Sequence, residues 1–377
     1  MKGTPLHFTR IVFWEPCLSP HKSAFISAVA QRFGAAVSVY CVAHEGVPQA
    51  RQALGWTDST EIVHHTMVAP SNAQIDELVT EGGNTCLHVF SGIRWFATLT
   101  YALARVKQQR RPFAIMSEPR DNAGWKGSLR YLQSRLTEIW LRRHVQFVLA
   151  IGRHGPPWYR SVGYAAERIF PFAYFLPPPS AGGAYADSNG VLQLAYVGRF
   201  TEMKGVRFIL PALAYLRGRV RITLIGDGEL RESLMRQAAD LQLDAVFTGA
   251  LPIAEVQQRM RAFDILLLPS ISNDDGWGAV VGEALMAGAA VVASRCVGAS
   301  ILLDLPDNGR VVPPADSEAI AAAITSLQTE GVLAASTRQA RMRWATERLT
   351  AQAGAAYFEH IMRHRVEGAA RPKEFFL

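Results

Sequence analysis

Twice along this chain, short runs of β-branched and aliphatic residues alternate with stretches of helical period. That alternation restricts the fold more than any other feature. In the first half the apolar runs are 10–14 (RIVFW), 36–43 (AVSVYCVA), 86–90 (CLHVF), 113–117 (FAIMS) and 147–152 (FVLAIG), with helical stretches such as 24–32 and 96–108 between them. In the second half the runs are 192–199, 221–228, 245–249, 264–270 and 290–294, and helices are expected near 205–216, 230–241, 253–262, 280–287 and 317–327. Near-continuous apolar strands are buried on both faces, which requires a parallel sheet covered by helices on either side. The segment 175–189, FLPPPSAGGAYADSN, breaks the pattern with proline, glycine and small polar residues and has the composition of a linker. A chain of 377 residues is also too long for one ordinary core. The reading is therefore an α/β protein of two similar domains. Ligands of such sheets bind beyond the carboxyl ends of the strands.

Apolar residues make up 49% and charged residues 19%, which excludes disordered and fibrous classes. Cys17, Cys41, Cys86 and Cys296 are far apart with no CxxC pair, so neither a disulfide framework nor a zinc site is expected, and a reducing compartment fits. The start, MKGTPLHFTR, has no apolar segment behind it, and no stretch approaches the roughly 20 apolar residues that span a bilayer. A cytoplasmic protein is expected. Net charge is +7, and the excess is concentrated: between 94 and 143 eleven lysines and arginines face only Glu118, Asp121 and Glu138. Trp95, Trp125, Tyr131 and Trp140 lie among them. This mixture suits anionic lipid head groups at the inner face of the plasma membrane, although a solvated basic face would look the same. No nucleic-acid-binding motif accompanies it.

Two segments carry chemistry. In YVGRFTEMKG (196–205) a strand ends, Gly198 permits a sharp turn, and Arg199 and Lys204 follow. Five positions apart across a loop, both can address one anion, the arginine as a planar fork and the lysine as a compact charge. In PSISNDDGWGAVVGEALMAGAAVVAS (269–294) a strand leads into Asp275, Gly276, Trp277 and Gly278, then into a helix that carries Glu283. The glycines let backbone approach a ligand, and the helix start offers free N–H groups and a positive dipole end suited to a diphosphate. Glu283 is placed to accept hydrogen bonds from ribose hydroxyls, and Asp275 to reach sugar hydroxyls.

Taken in order, VGRFTEMKG, LIGDGELRESL, VFTGALP, FDILLLPS, DGWGAVVGEALMAGAAVVAS and NGRVVPPADSEAIAAAI resemble the retaining glycosyltransferases of family 4, over about residues 194–325. The resemblance implies the GT-B fold, two Rossmann-like doubly wound domains facing a central cleft. It implies an acceptor domain over 1–178, a nucleotide-sugar donor domain over 190–350, and a last helix in 351–377 that crosses back onto the first domain. Arg199 and Lys204 then neutralise the donor diphosphate, Asp275 and Glu283 take the places of the family's paired acids, the backbone at Gly276, Trp277 and Gly278 lies along the donor, and Thr248, Gly249 and Leu251 wall the base. Two departures stand out. The first acid is Asp275 where the family usually has glutamate, and the first loop lacks the family's glycines and reads EPCLSPHKSAF (15–25), with Ser19, His21 and Lys22 as acceptor-side candidates. Where a histidine often follows the fourth strand, this chain has SEPR, so that Glu118 and Arg120 become candidates for acceptor positioning or proton acceptance.

The implied reaction moves a sugar, with retention of configuration, from a nucleotide diphosphate to a saccharide or lipid-linked saccharide, as in lipopolysaccharide or other surface polysaccharide assembly. Arg199, Lys204 and the helix dipole would meet the leaving charge, with no metal and no cofactor beyond the donor substrate itself. Two alternatives remain: a non-catalytic nucleotide-sugar-binding subunit, motivated by Asp275 and the altered first loop, and a nucleotide-sugar epimerase, which would leave the basic face without a purpose.

Overall fold

The computed structural model describes residues 8–52, 65–179, 190–216 and 220–377. The described chain divides into two compact units, one formed by residues up to 177 together with 349–377, the other by 178–348. In the first, seven strands form one parallel sheet: β1 (Arg10–Cys17), β2 (Ser38–Glu45), β3 (His65–Val68), β4 (Cys86–Phe90), β5 (Phe113–Ser117), β6 (Val148–Ile151) and β7 (Ile169–Phe172), in the order β3-β2-β1-β4-β5-β6-β7. In the second, β8 (Leu192–Val197), β9 (Val220–Ile225), β10 (Ala245–Gly249), β11 (Ile265–Leu268), β12 (Ala290–Ser294) and β13 (Gly309–Val312) run β10-β9-β8-β11-β12-β13, again parallel. Both orders reverse direction next to their first strand, at β1/β4 and at β8/β11. These are the switch points where crossovers leave on opposite faces of the sheet and open a crevice at the strand ends.

Three strands go beyond those expected from the sequence: β3, β7 and β13. All three are four-residue edge strands. An edge strand needs only one ladder, so it tolerates short length and even a proline, and Pro171 lies inside β7. The helix expected over 205–216 is also corrected. Residues Val206–Phe208 form a tight 3-10 turn and the α-helix runs only Ile209–Ala214, because Pro211 lacks an N–H and fits only a first helical turn.

The first core is assembled from both ends of its sequence. Helix Ala351–Glu367 packs on helix Pro20–Phe33, and Phe358, fully buried, lies 5.9 Å from the rings of both Phe13 and Phe25. Gly354 lets this helix close on Phe175, since a Cβ there would stand 2.3 Å from Cγ of that ring. The chain path into and out of the second unit is tied together: Leu176 N–H donates to the Leu349 carbonyl (2.9 Å) and Ala351 N–H to the Leu176 carbonyl (2.7 Å). Across the sheet, Trp14 stacks on Phe90 and its indole N–H donates to Nδ1 of His88 (3.2 Å), which burial holds neutral, down to about 3 from the ordinary histidine value. Among the described residues no helix is long and apolar enough to cross a membrane, and Cys17, Cys41, Cys86 and Cys296 are free thiols.

Candidate active site

In the second unit the switch point gathers both chemical segments. Buried Tyr196, near the end of β8, donates its hydroxyl to the Arg199 carbonyl (2.7 Å), and Phe200 N–H donates to the Asp227 carbonyl (2.8 Å). The backbone on both sides of Arg199 is thereby fixed while its side chain stands exposed. Beyond it the chain turns through Glu202–Lys204 and closes on Gly205 at φ +66°. A Cβ at Gly205 would lie 2.0 Å from the Pro269 carbonyl oxygen, so only glycine lets this loop meet the end of β11. Ile271 N–H donates to the Met203 carbonyl (2.9 Å) and joins the two loops.

Across that seam Lys204 pairs with Asp275, whose other carboxylate oxygen accepts from Ser270 Oγ. Ser294, from the end of β12, in turn donates to the Ser270 carbonyl. The Asp275 side chain is almost wholly buried by these contacts. The two residues that the sequence assigned to diphosphate and sugar thus touch each other. The following turn is pinned from outside: the Gly276 carbonyl accepts from Gly298 N–H (2.9 Å) and the Trp277 carbonyl from Ala299 N–H (2.8 Å). The Trp277 indole is core, so that residue offers a ligand its backbone. Gly278, with positive φ, caps helix Ala279–Met286. Within that helix Glu283 accepts a hydrogen bond from Gln257 Nε2 (3.4 Å), and burial raises its carboxyl above the usual range while that bond opposes the rise.

Thr248 and Gly249 end β10. The Thr248 hydroxyl donates to the Gly249 carbonyl (2.9 Å), which also accepts from Gly226 N–H (2.9 Å), and Leu251 follows half-buried. Gly226 and Gly228, which follow β9, belong to this site as well, both at positive φ. A Cβ at Gly226 would stand 1.9 Å from the Gly198 carbonyl oxygen, so the ends of β8 and β9 meet backbone to backbone beside Arg199. The signal was the glycine spacing of LIGDG directly after an apolar strand.

In the first unit the corresponding switch point holds a buried acid that sequence reading missed. Glu15, at the end of β1, pairs with Lys22 (2.9 Å) and accepts from Ser91 Oγ after β4 (2.6 Å). Its signal was a carboxylate directly after the apolar run RIVFW. Lys22 is therefore committed to Glu15, with its ammonium 5.7 Å from the centre of the Tyr174 ring. The Tyr174 hydroxyl donates to Glu118, and burial together with that carboxylate raises the phenol. Ser19 opens helix Pro20–Phe33 without a side-chain cap, and His21 beside it is pushed down to about 4 by burial and by Arg51. Arg120 donates to the Arg130 carbonyl (3.2 Å) and to Ser134 Oγ (3.1 Å). Glu118 and Arg120 line a pocket of about 130 Å³ with Ser91, Arg94, Glu138 and Tyr159, at the carboxyl ends of β4 and β5, with Tyr159 coming from helix Gly155–Ser161. Ser19 and His21 are not among its lining residues.

The segment that carries this arrangement, two cations and a glycine-capped helix start at the switch point of a parallel sheet, lies within a stretch that resembles known proteins. Residues 192–330 match the family model for glycosyl transferases group 1. The chain is 33% identical over 167 residues to a phosphatidyl-myo-inositol mannosyltransferase of Mycolicibacterium smegmatis, an alignment covering 43% of this chain and 42% of that protein. It is 32% identical over 152 residues to the lipopolysaccharide core biosynthesis glycosyltransferase LpsE of Rhizobium meliloti, covering 39% of this chain and 42% of the relative. The alignments with these two relatives thus span less than half their length. Over nearly the whole chain the fold is that of GT-B glycosyltransferases. HepE of Anabaena, solved with UDP, superposes with a TM-score of 0.70 at 18% identity, covering 93% of this chain and 98% of that one.

Proposed function

We propose that this protein is a retaining glycosyltransferase that takes a sugar from a nucleotide diphosphate donor held in its second unit. The observation that carries the reading is the seam at β8/β11, where exposed Arg199, Lys204 and the glycine-capped helix Ala279–Met286 come from the two loops of one switch point. As the diphosphate leaves, negative charge grows on its oxygens, and donors fixed in advance stabilise that charge without reorganising. Arg199 and Lys204 supply the charge, the helix start supplies N–H groups, and Glu283 receives ribose hydroxyls. Asp275, one methylene shorter than the family's usual glutamate, is held by Lys204 and Ser270 and reaches the sugar only as Lys204 turns to the phosphate. Glu118, hydrogen-bonded by Tyr174 in the first-unit pocket, positions the acceptor.

The acceptor we infer is a saccharide or lipid-linked saccharide of surface polysaccharide or lipopolysaccharide assembly, met at the inner face of the plasma membrane. Relatives named for phosphatidyl-myo-inositol, lipopolysaccharide core and amylovoran biosynthesis support this, as does the basic stretch 94–143. The test is a thermal-shift screen against nucleotide diphosphates and nucleotide sugars, since a ligand of the native state raises the melting temperature, followed by transfer assays with the donor that binds. Absence of any shift across the common donors would refute the reading. The Lys204–Asp275 pair gives one reason to keep a second: a binding subunit in which the acid never leaves the lysine. It would bind donor saturably and turn over none.

A further inference from the structure

Helix Gly124–Thr137 is built inside out. Gly127 and Ser134 are buried on the side that meets the unit, and a Cβ on Gly127 would stand 2.1 Å from the Asn122 backbone carbon. The opposite side carries Trp125, Leu129, Leu132 and Leu136, each between 53% and 70% exposed. At about 100° per residue these four fall within roughly 60° of arc, a continuous apolar row. Exposed Lys126 lies to one side of the row and exposed Arg135 to the other, and the helix contains no acid. The Lys126 ammonium lies 5.7 Å from the centre of the Trp125 ring. Nearby, Trp95 is 86% exposed at φ +77°, a conformation that bulky side chains rarely adopt. Its loop is tied to the end of this helix, because Arg94 donates to Thr137 Oγ1 (3.0 Å) and to Glu138 (2.7 Å).

A single exposed leucine on a helix is ordinary, but a contiguous row of three with a tryptophan indicates a surface that is covered in use. A narrow apolar row with a cation on either side matches a bilayer carrying anionic head groups, where the row enters the acyl boundary and the cations stay at the phosphates. A second copy of this chain would bring the same cations against each other. We propose that helix Gly124–Thr137 inserts its Trp125–Leu129–Leu132–Leu136 row into an anionic membrane and thereby holds the first-unit pocket, which Arg94 and Glu138 line, at the level of lipid head groups. The inference rests on the membrane-side reading above and sharpens it from electrostatic contact to insertion.

The experiment is sedimentation of the full chain with vesicles of phosphatidylcholine, with and without phosphatidylglycerol, combined with quenching of tryptophan fluorescence by lipids brominated along the acyl chain. Wild type should bind the anionic vesicles, be quenched, and retain part of its binding at about 1 M salt, where the screening length is about 3 Å. Leu129→Gln with Leu132→Gln should lower binding about tenfold or more and abolish quenching. Lys126→Gln with Arg135→Gln should lower binding to anionic vesicles about tenfold at low salt. If the leucine variant binds and is quenched like wild type, insertion is refuted. If wild type forms a dimer without lipid that the leucine variant loses, the face belongs to self-association and the proposal falls. Donor thermal shift is read on every sample. A wild type that shifts with no nucleotide refutes the transferase reading, while the vesicle result still decides the membrane proposal.

Discussion

Lys204 and Asp275, seventy-one positions apart in sequence, form an ion pair in which the aspartate side chain is almost wholly buried and the lysine side chain keeps a fifth of its surface exposed. Removing one member of such a pair leaves the other charge without compensation. Lys204→Ala should therefore destabilise the second unit by about 3 kcal/mol, the low end for a buried pair given the partial exposure of the lysine. Adding Asp275→Asn should restore most of that stability without restoring donor binding. A double-mutant cycle by chemical denaturation, with donor affinity measured on all four proteins, gives both numbers.

Arg199 is exposed, and its backbone is held by Tyr196 and Asp227 rather than by its own side chain. Arg199→Ala should leave the melting temperature nearly unchanged, within about 0.5 kcal/mol of stability, and lower turnover about a hundredfold or more, the scale of losing one preorganised charge stabiliser. Arg199→Lys should recover only part, because lysine keeps the charge and loses the planar fork. Steady-state kinetics on a stable fold separates this role from a structural one.

Glu283 has its carboxyl raised by burial. The folded protein therefore binds this proton more tightly than the unfolded chain does. Stability should fall as pH rises from the ordinary carboxylate value through the raised one, then level off. Glu283→Gln should remove that decline and raise the melting temperature at neutral pH, while weakening donor binding about tenfold through loss of a charged acceptor for ribose. Melting temperature against pH for the two proteins checks the sign, and titration calorimetry checks the affinity.

His88 shifts in the opposite sense. Burial lowers it to about 3, so below the ordinary histidine value the unfolded chain takes up a proton that the folded one refuses. The first unit should lose stability progressively as pH falls from about 6.5 toward 3. His88→Gln keeps an acceptor for the Trp14 indole and should flatten this acid limb at some cost near neutral pH, read from near-ultraviolet circular dichroism of the tryptophans.

The fold was legible where residues are buried on both sides. Runs such as RIVFW and CLHVF became central strands β1 and β4, while the strands not foreseen, β3, β7 and β13, are four-residue edges too short to show a run, and β7, although buried throughout, is interrupted by Pro171. The donor segments were legible for the same reason: glycine beside a strand end has few other uses, and Gly205 and Gly278 both occupy positive φ. The partnership of Lys204 with Asp275 was not legible, because it depends on β11 lying beside β8. Nor was the outward row Trp125–Leu129–Leu132–Leu136, whose spacing is that of a helix facing its core. Only the buried Gly127 and Ser134 show that the helix is turned the other way.

Phe358 fills the first core from a helix that lies beyond the whole second unit in the chain. During synthesis the ribosome therefore delivers β1 to β7 with a place at their centre still vacant, and more than a hundred further residues must emerge before it is filled. The second unit, contiguous in sequence, has no such wait. It can mature while its elder neighbour still exposes Phe13 and Phe25, and for that interval the nascent first unit is the part of the molecule that most needs a chaperone.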